Sequence, residues 1–226
     1  MKYFLLLSIF FCFQAWSKES TCYGSTKKGK LDNGVQLPVS GKNFVSYSSL
    51  AHTLGRTYVH SKVHKVFIES YKALEQSYSD KIFKYAETGF ENGGRFKPHK
   101  THQNGLSIDF MTPMIDQHGK SQHLPTHIGN KWGYNIELDQ NGRYENLTID
   151  YEALAAHLAE LDRQSKKHGI KIWRVIFAPK LQPDLFNTQQ SDYLKKHLTF
   201  SKKPSWVRHD EHYHVDFSIP CKPLKQ

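Results

Sequence analysis

Residues 209–216 read His-Asp-Glu-His-Tyr-His-Val-Asp. Bounded by the polar run before it and Pro220 after it, this stretch predicts a strand over about 211–219. Alternate side chains of a strand share a face, so His212 and His214 point the same way and Asp216 joins them. A second cluster, Pro-His-Lys-Thr-His-Gln-Asn-Gly-Leu-Ser-Ile-Asp, spans residues 98–109. There His102 precedes a turn at Gly105, and Asp109 lies on a predicted strand over Leu106 to Met111. The chain can therefore double back and bring imidazole and carboxylate together.

If the two clusters meet, two imidazole nitrogens and one carboxylate oxygen converge on a point. That is the donor set of a catalytic zinc ion, which takes three protein ligands and leaves the fourth tetrahedral position to water, whereas a structural site normally takes four. Such an ion activates water at neutral pH and polarises a peptide carbonyl, so amide hydrolysis is its natural use. The competing reading is a pair of hydrogen-bonded strand histidines. Of the fourteen histidines, those at 52, 60, 64, 118, 123, 127, 157, 168 and 197 lie in polar stretches or on helices and read as structural or exposed. The sequence holds no His-Glu-x-x-His helix, Gly-x-Ser-x-Gly elbow or phosphate loop.

Around these clusters the elements are mixed. Lys18 to about Thr57 is rich in Ser, Gly, Lys and Asn and reads as an irregular wrapping segment. Ser61 is placed to cap a helix whose Val63, Val66, Phe67, Tyr71, Leu74 and Tyr78 form one buried stripe. Lys81 to Phe90 alternates as a strand, and Asn92-Gly93-Gly94 breaks it. Thr112 to about Tyr134 shows no period and reads as a long loop able to wall a cleft. Asp150 can cap a second helix bearing Leu154, Leu158 and Leu161, which His168-Gly169 stops. Lys171 to Phe177 reads as a buried strand, and Ser191 to Leu198 as a short helix. Without a regular βαβ rhythm, the fold class is α+β.

The 226 residues are 38% hydrophobic and 23% charged, which excludes disorder and fibrous designs. Residues 1–17 read as a secretory signal peptide: Lys2, an apolar run from Tyr3 to Phe13, then Ala15-Trp16-Ser17. That run is well short of the roughly 20 residues that span a bilayer, and no later segment qualifies, so stable membrane insertion is not expected. Residues 18–226 then form one domain. Removing the leader takes Lys2 from a net charge of +10 and leaves +9. The balance favours anionic surfaces, but the lysines are scattered rather than gathered in a nucleic-acid-binding tract. Cys22 and Cys221, near opposite ends of an exported chain, read as a disulfide.

Gly93-Gly94-Arg95-Phe96, Thr101-His102-Gln103-Asn104-Gly105-Leu106-Ser107-Ile108-Asp109, and His209-x-x-His212-x-His214 followed by Cys221-Lys222-Pro223 together resemble the penicillin-insensitive murein endopeptidases. These belong to the zinc peptidases that include lysostaphin and the D-alanyl-D-alanine carboxypeptidases. Weaker similarity appears at Gly55 to His60 and Arg174 to Pro179. The resemblance implies a small central antiparallel sheet flanked by helices and long loops, a periplasmic location, and cleavage of the D-alanyl-diaminopimelyl cross-link of peptidoglycan. It implies one zinc ion per chain on His102, Asp109 and His214, with His212 as proton shuttle or oxyanion donor and His209 supporting it. His99 matches a nearby family histidine.

Glu211 stands where the carboxypeptidase branch carries its general base, but strand parity turns it away from His214, which favours His212. Asp216 reads as a carboxylate fixing an imidazole tautomer. Arg95 reads either as a clamp for a substrate carboxylate or as a loop salt bridge. The alternatives are a D,D- or L,D-carboxypeptidase on the same scaffold and a non-catalytic wall-binding module. Peptidoglycan is the expected partner and nucleic acid is not; the oligomeric state is open.

Overall fold

The computed structural model describes residues 18–225, so the leader expected over residues 1–17 lies outside the described residues. A five-stranded sheet forms the centre, in the order Lys171–Ile176, His212–Ser218, Ser107–Met111, Phe83–Tyr85, Phe44–Ser46. Neighbours run antiparallel except the last pair, which is parallel. With the helices packed on this sheet, the fold is α+β.

One face of the sheet is the core. Phe44, Tyr85, Phe110, Tyr213, Val215 and Phe217 are buried on it, beneath the helices Ser61–Ser77 and Tyr151–Lys167. The first helix buries Val63, Val66, Phe67, Tyr71 and Leu74, as the stripe predicts. Phe67 meets Tyr85 edge-on with ring centroids 5.1 Å apart, and its loss would cost about 3–5 kcal/mol. His157 of the second helix is fully buried against Phe110 and accepts or donates a 2.5 Å hydrogen bond at Tyr213. The opposite face carries the polar alternate residues of the same strands: Ser107 and Asp109, and His212, His214 and Asp216.

Asp150 caps the second helix as expected, accepting from the Ala153 amide at 3.0 Å. The first helix is capped by His60 rather than Ser61, because Ser61 is held in reciprocal hydrogen bonds with Ser20, while His60 Nδ1 accepts from the Lys62 amide. The segment expected to be irregular instead forms a hairpin, Thr21–Ser25 with Lys28–Asp32, then the edge strand Phe44–Ser46 and a short helix Ser49–Thr53. The 81–90 strand shrinks to Phe83–Tyr85. Lys171–Ile176 is an edge strand and only half-buried, with Trp173 47% exposed.

Cys22 and Cys221 are bridged. The bridge is flanked by backbone pairing, Gly24 N to Lys222 O and Lys222 N to Cys22 O, both at 2.9 Å. No helix among the described residues is long and apolar enough to cross a membrane.

Candidate metal centre

The polar face of the sheet concentrates chemistry because of its register. His214 pairs with Asp109, His212 with Met111 and Asp216 with Ser107 across the central antiparallel ladder. His102 reaches the same place from the loop before the Ser107–Met111 strand. Its backbone is left-handed, φ +69°, and Gly105 turns the chain at φ +75°. A Cβ at Gly105 would stand 2.7 Å from the His60 amide nitrogen, so only glycine allows this turn. A buried histidine held at positive φ is a local cost accepted where its ring has a task.

Three donor atoms converge there. His214 Nδ1 lies 2.7 Å and His102 Nε2 3.3 Å from Asp109 Oδ1. The His102 and His214 ring centroids are 4.8 Å apart. Each of the three residues is at most 3% exposed. His102 Nδ1 donates to the Thr88 carbonyl at 3.0 Å, which leaves Nε2 as a buried lone pair with no hydrogen-bond partner. A lone pair facing a carboxylate oxygen inside a protein calls for a cation, and two imidazoles with a carboxylate suit zinc. The residues present therefore fit the ion.

A second ring of groups holds these donors. Asp216, fully buried, accepts from Ser107 Oγ at 2.6 Å and from Arg174 Nε at 3.0 Å, and its Oδ1 is 2.9 Å from His214 Nε2. Tyr134 donates to Asp109 Oδ2 at 2.9 Å, and burial with the nearby Asp109 charge keeps that phenol protonated. His99 Nδ1 stands 3.6 Å from the same oxygen, and its Nε2 lies 2.5 Å from Glu87. Glu87 in turn accepts from Tyr47 at 2.8 Å and pairs with Arg56. Burial opposes its charge, but His99 and Arg56 hold it down at about 2. Among the described residues, the group whose ligand atoms lie close enough together to hold a metal ion is His99, His102 and Asp109; His214 is not part of that group.

His212 and His209 lie in tilted contact beside this centre with centroids 4.5 Å apart, and His212 Nε2 is 4.0 Å from Asp109 Oδ2. His209 Nδ1 donates to the Val207 carbonyl at 2.8 Å, so its Nε2 carries a lone pair. Burial pushes His212 down to about 4 and His209 to about 3, leaving both neutral at pH 7. Burial opposes charge on Asp109 as well, yet the surrounding imidazoles hold it well below the usual carboxylate range. Glu211 is fully buried with Oε1 2.7 Å from His212 Nδ1, and burial and Asp210 raise it to about 10.

The sequence profile described as penicillin-insensitive murein endopeptidase matches residues 22–225, a span that contains both histidine clusters and both cysteines. The chain belongs to that family. No individual curated protein matches it.

In this murein endopeptidase family member Asp109 and His214, but not the buried His102, open onto a cleft of about 750 Å³, whose wall also includes His99, His209 and His212. The 112–134 segment does wall it, through Lys131, Trp132 and Tyr134, although it also contains the short strands Met114–Ile115 and Ser121–Gln122. Glu211 is absent from the wall. Arg95 is exposed, outside the wall and without an ion pair among the described residues, so neither reading of Arg95 gains support. Sequence reasoning missed Tyr134, Glu87 and Tyr47. Only the Gly55 to His60 similarity pointed toward their partner Arg56.

Proposed function

We propose that the chain is an exported, zinc-dependent murein endopeptidase that hydrolyses the D-alanyl-diaminopimelyl cross-links of peptidoglycan. The observation that carries this reading is that His102 Nε2 and His214 Nδ1 both lie near Asp109 Oδ1, beside the cleft that Asp109 and His214 line, with a buried imidazole lone pair that no protein donor satisfies. The chemistry that zinc supplies in such a donor set is Lewis acidity toward a peptide carbonyl and activation of water near neutral pH.

The chain's own groups do the rest. Tyr134 and the two neighbouring imidazoles fix the Asp109 carboxylate, and Asp216 fixes the His214 ring through the nitrogen not facing Asp109. His212 stands neutral on the cleft wall, with Nε2 on the Asp109 side and Nδ1 held at Glu211. It takes or delivers the proton of the amide cleavage and donates to the developing oxyanion. His209 supports that ring by a tilted ring contact. Glu211, neutral and behind the ring, is off the cleft and is not the base. With no acyl-enzyme step, the reaction offers a β-lactam no serine to trap.

Export is supported by the Lys2 and Tyr3-to-Phe13 leader, and a periplasmic address by the Cys22–Cys221 bridge, which belongs to oxidising compartments. The experiment is digestion of purified cross-linked muropeptides, read by mass spectrometry. Dimers converted to monomers, a halt under chelation and recovery with zinc are the expected results. Release of terminal D-alanine alone would make the protein a carboxypeptidase. Binding to sacculi without products would make it a wall-binding module.

A further inference from the structure

The cleft wall carries six basic side chains, Lys27, Arg56, Lys97, Lys100, Lys131 and Arg174, against two acids, Glu87 and Asp109. Both acids are buried and engaged, Glu87 by Arg56 and Tyr47, and Asp109 by imidazoles and Tyr134. Arg174 is committed to Asp216. The four lysines remain. All are exposed, and none pairs with a carboxylate among the described residues.

They come from separate parts of the chain: Lys27 from the turn of the N-terminal hairpin, Lys97 and Lys100 from either side of His99, and Lys131 from the end of the 112–134 segment. Lys100 Nζ rests 4.4 Å over the exposed Trp206 ring, which holds that ammonium at the rim. Leu50 on the short helix Ser49–Thr53 and Leu54 just after it, both exposed, add apolar wall without charge. Unpaired cations spread around an apolar-walled cleft focus a positive potential into it and favour an anionic ligand.

Resting on the hydrolase reading above, we propose that Lys27, Lys97, Lys100 and Lys131 bind the free carboxylates of cross-linked stem peptides, so that the enzyme selects ionised over amidated cross-links. Diaminopimelate fits this collar because a carboxylate sits on the carbon that bears the scissile amide nitrogen. Amidation removes that charge and leaves the scissile bond intact. Exposed ammonium–carboxylate pairs are individually weak, so the selection is the sum of several and screens with salt.

The test uses two cross-linked dimers that differ only in amidation of the diaminopimelyl carboxylates. Zinc-loaded enzyme is expected to show a KM about tenfold lower for the ionised dimer at low salt, the gap closing as ionic strength rises. Replacing Lys27, Lys97, Lys100 and Lys131 together by Gln should abolish the discrimination, with the loss falling on KM. The charge-matched replacement of Lys72, Lys171, Lys195 and Lys196 by Gln, none of them in the wall, should leave it. Zinc content and melting temperature confirm that each variant is folded. Equal KM for the two dimers, or equal loss in both quadruple variants, would overturn the proposal. Calorimetric binding of the two dimers tests it without turnover: if neither dimer is cut, the hydrolase reading fails, while equal affinities sink the lysine collar alone.

Discussion

His214 and Asp109 stand directly opposite each other on neighbouring antiparallel strands, with Nδ1 2.7 Å from Oδ1. Because the strands pair along their length, this contact is fixed by sheet register rather than by a loop. A one-residue slip of either strand would turn its side chain to the core face and leave the other behind. These two side chains are therefore held as firmly as the ladder that carries them.

His214→Ala and His212→Ala should separate binding from turnover. The first is expected to lose the metal, read by elemental analysis of the purified protein. The second should retain it and lose about 10²- to 10⁴-fold in kcat, the range for a group that moves a proton in the rate-limiting step. Metal loss in His212→Ala would place that ring among the ligands instead.

Asp216→Asn keeps the shape but removes the charge that Arg174, Ser107 and His214 surround. Metal affinity is expected to fall about 10- to 100-fold, as for other carboxylates behind a ligating histidine. Competition with a chelating dye measures it.

Glu211→Gln tests the assignment of the base. Since Glu211 is neutral at pH 7 and lies off the cleft, kcat should stay within about tenfold of wild type. A loss comparable to that of His212→Ala would transfer the proton step to Glu211.

Acid sensitivity should trace to buried neutral histidines. Burial lowers His157 from 6.5 to about 3. Between those values the unfolded chain binds a proton that the native chain does not, so stability falls as pH drops from 6.5 toward 3 and is unaffected above 6.5. His157→Gln, which can keep the bond to Tyr213, should flatten the denaturation midpoint over that window. The remaining slope is shared by other buried histidines, among them His60, His123 and His212, each pushed to about 4 by burial, and His209, pushed to about 3. An unchanged slope would show that His157 is not a contributor.

The Cys22–Cys221 bridge closes nearly the whole chain, which the chain-entropy account values at about 4 to 5 kcal/mol. Reduction, or Ser at both positions, should lower the denaturation midpoint by that order while leaving the ligand set intact, since the cysteines lie outside the cleft wall.

What the sequence disclosed was local. The strand expected over 211–219 is observed as His212–Ser218, because side-chain alternation needs no knowledge of the neighbours. The helix stripe from Val63 to Leu74 and the Asp150 cap are equally self-contained. The residues that escaped notice act at long range: Arg56 meets Glu87 31 positions away, and Tyr47 meets it 40 positions away. The N-terminal hairpin escaped because its Ser, Gly and Lys are poor strand formers. It is ordered instead by the bridge and by pairing with Lys222. The 81–90 alternation overshot because the regular ladder ends at Tyr85, after which Ala86 and Glu87 still exchange single backbone bonds with Asp109.

The strand that carries His212 and His214 is the last in the sequence, yet it lies inside the sheet, flanked on both sides. Until residues 212–218 are delivered, a nascent chain has a gap between the strands Lys171–Ile176 and Ser107–Met111. A copy broken off before that strand would lack both His212 and His214, and with them one side of the candidate site.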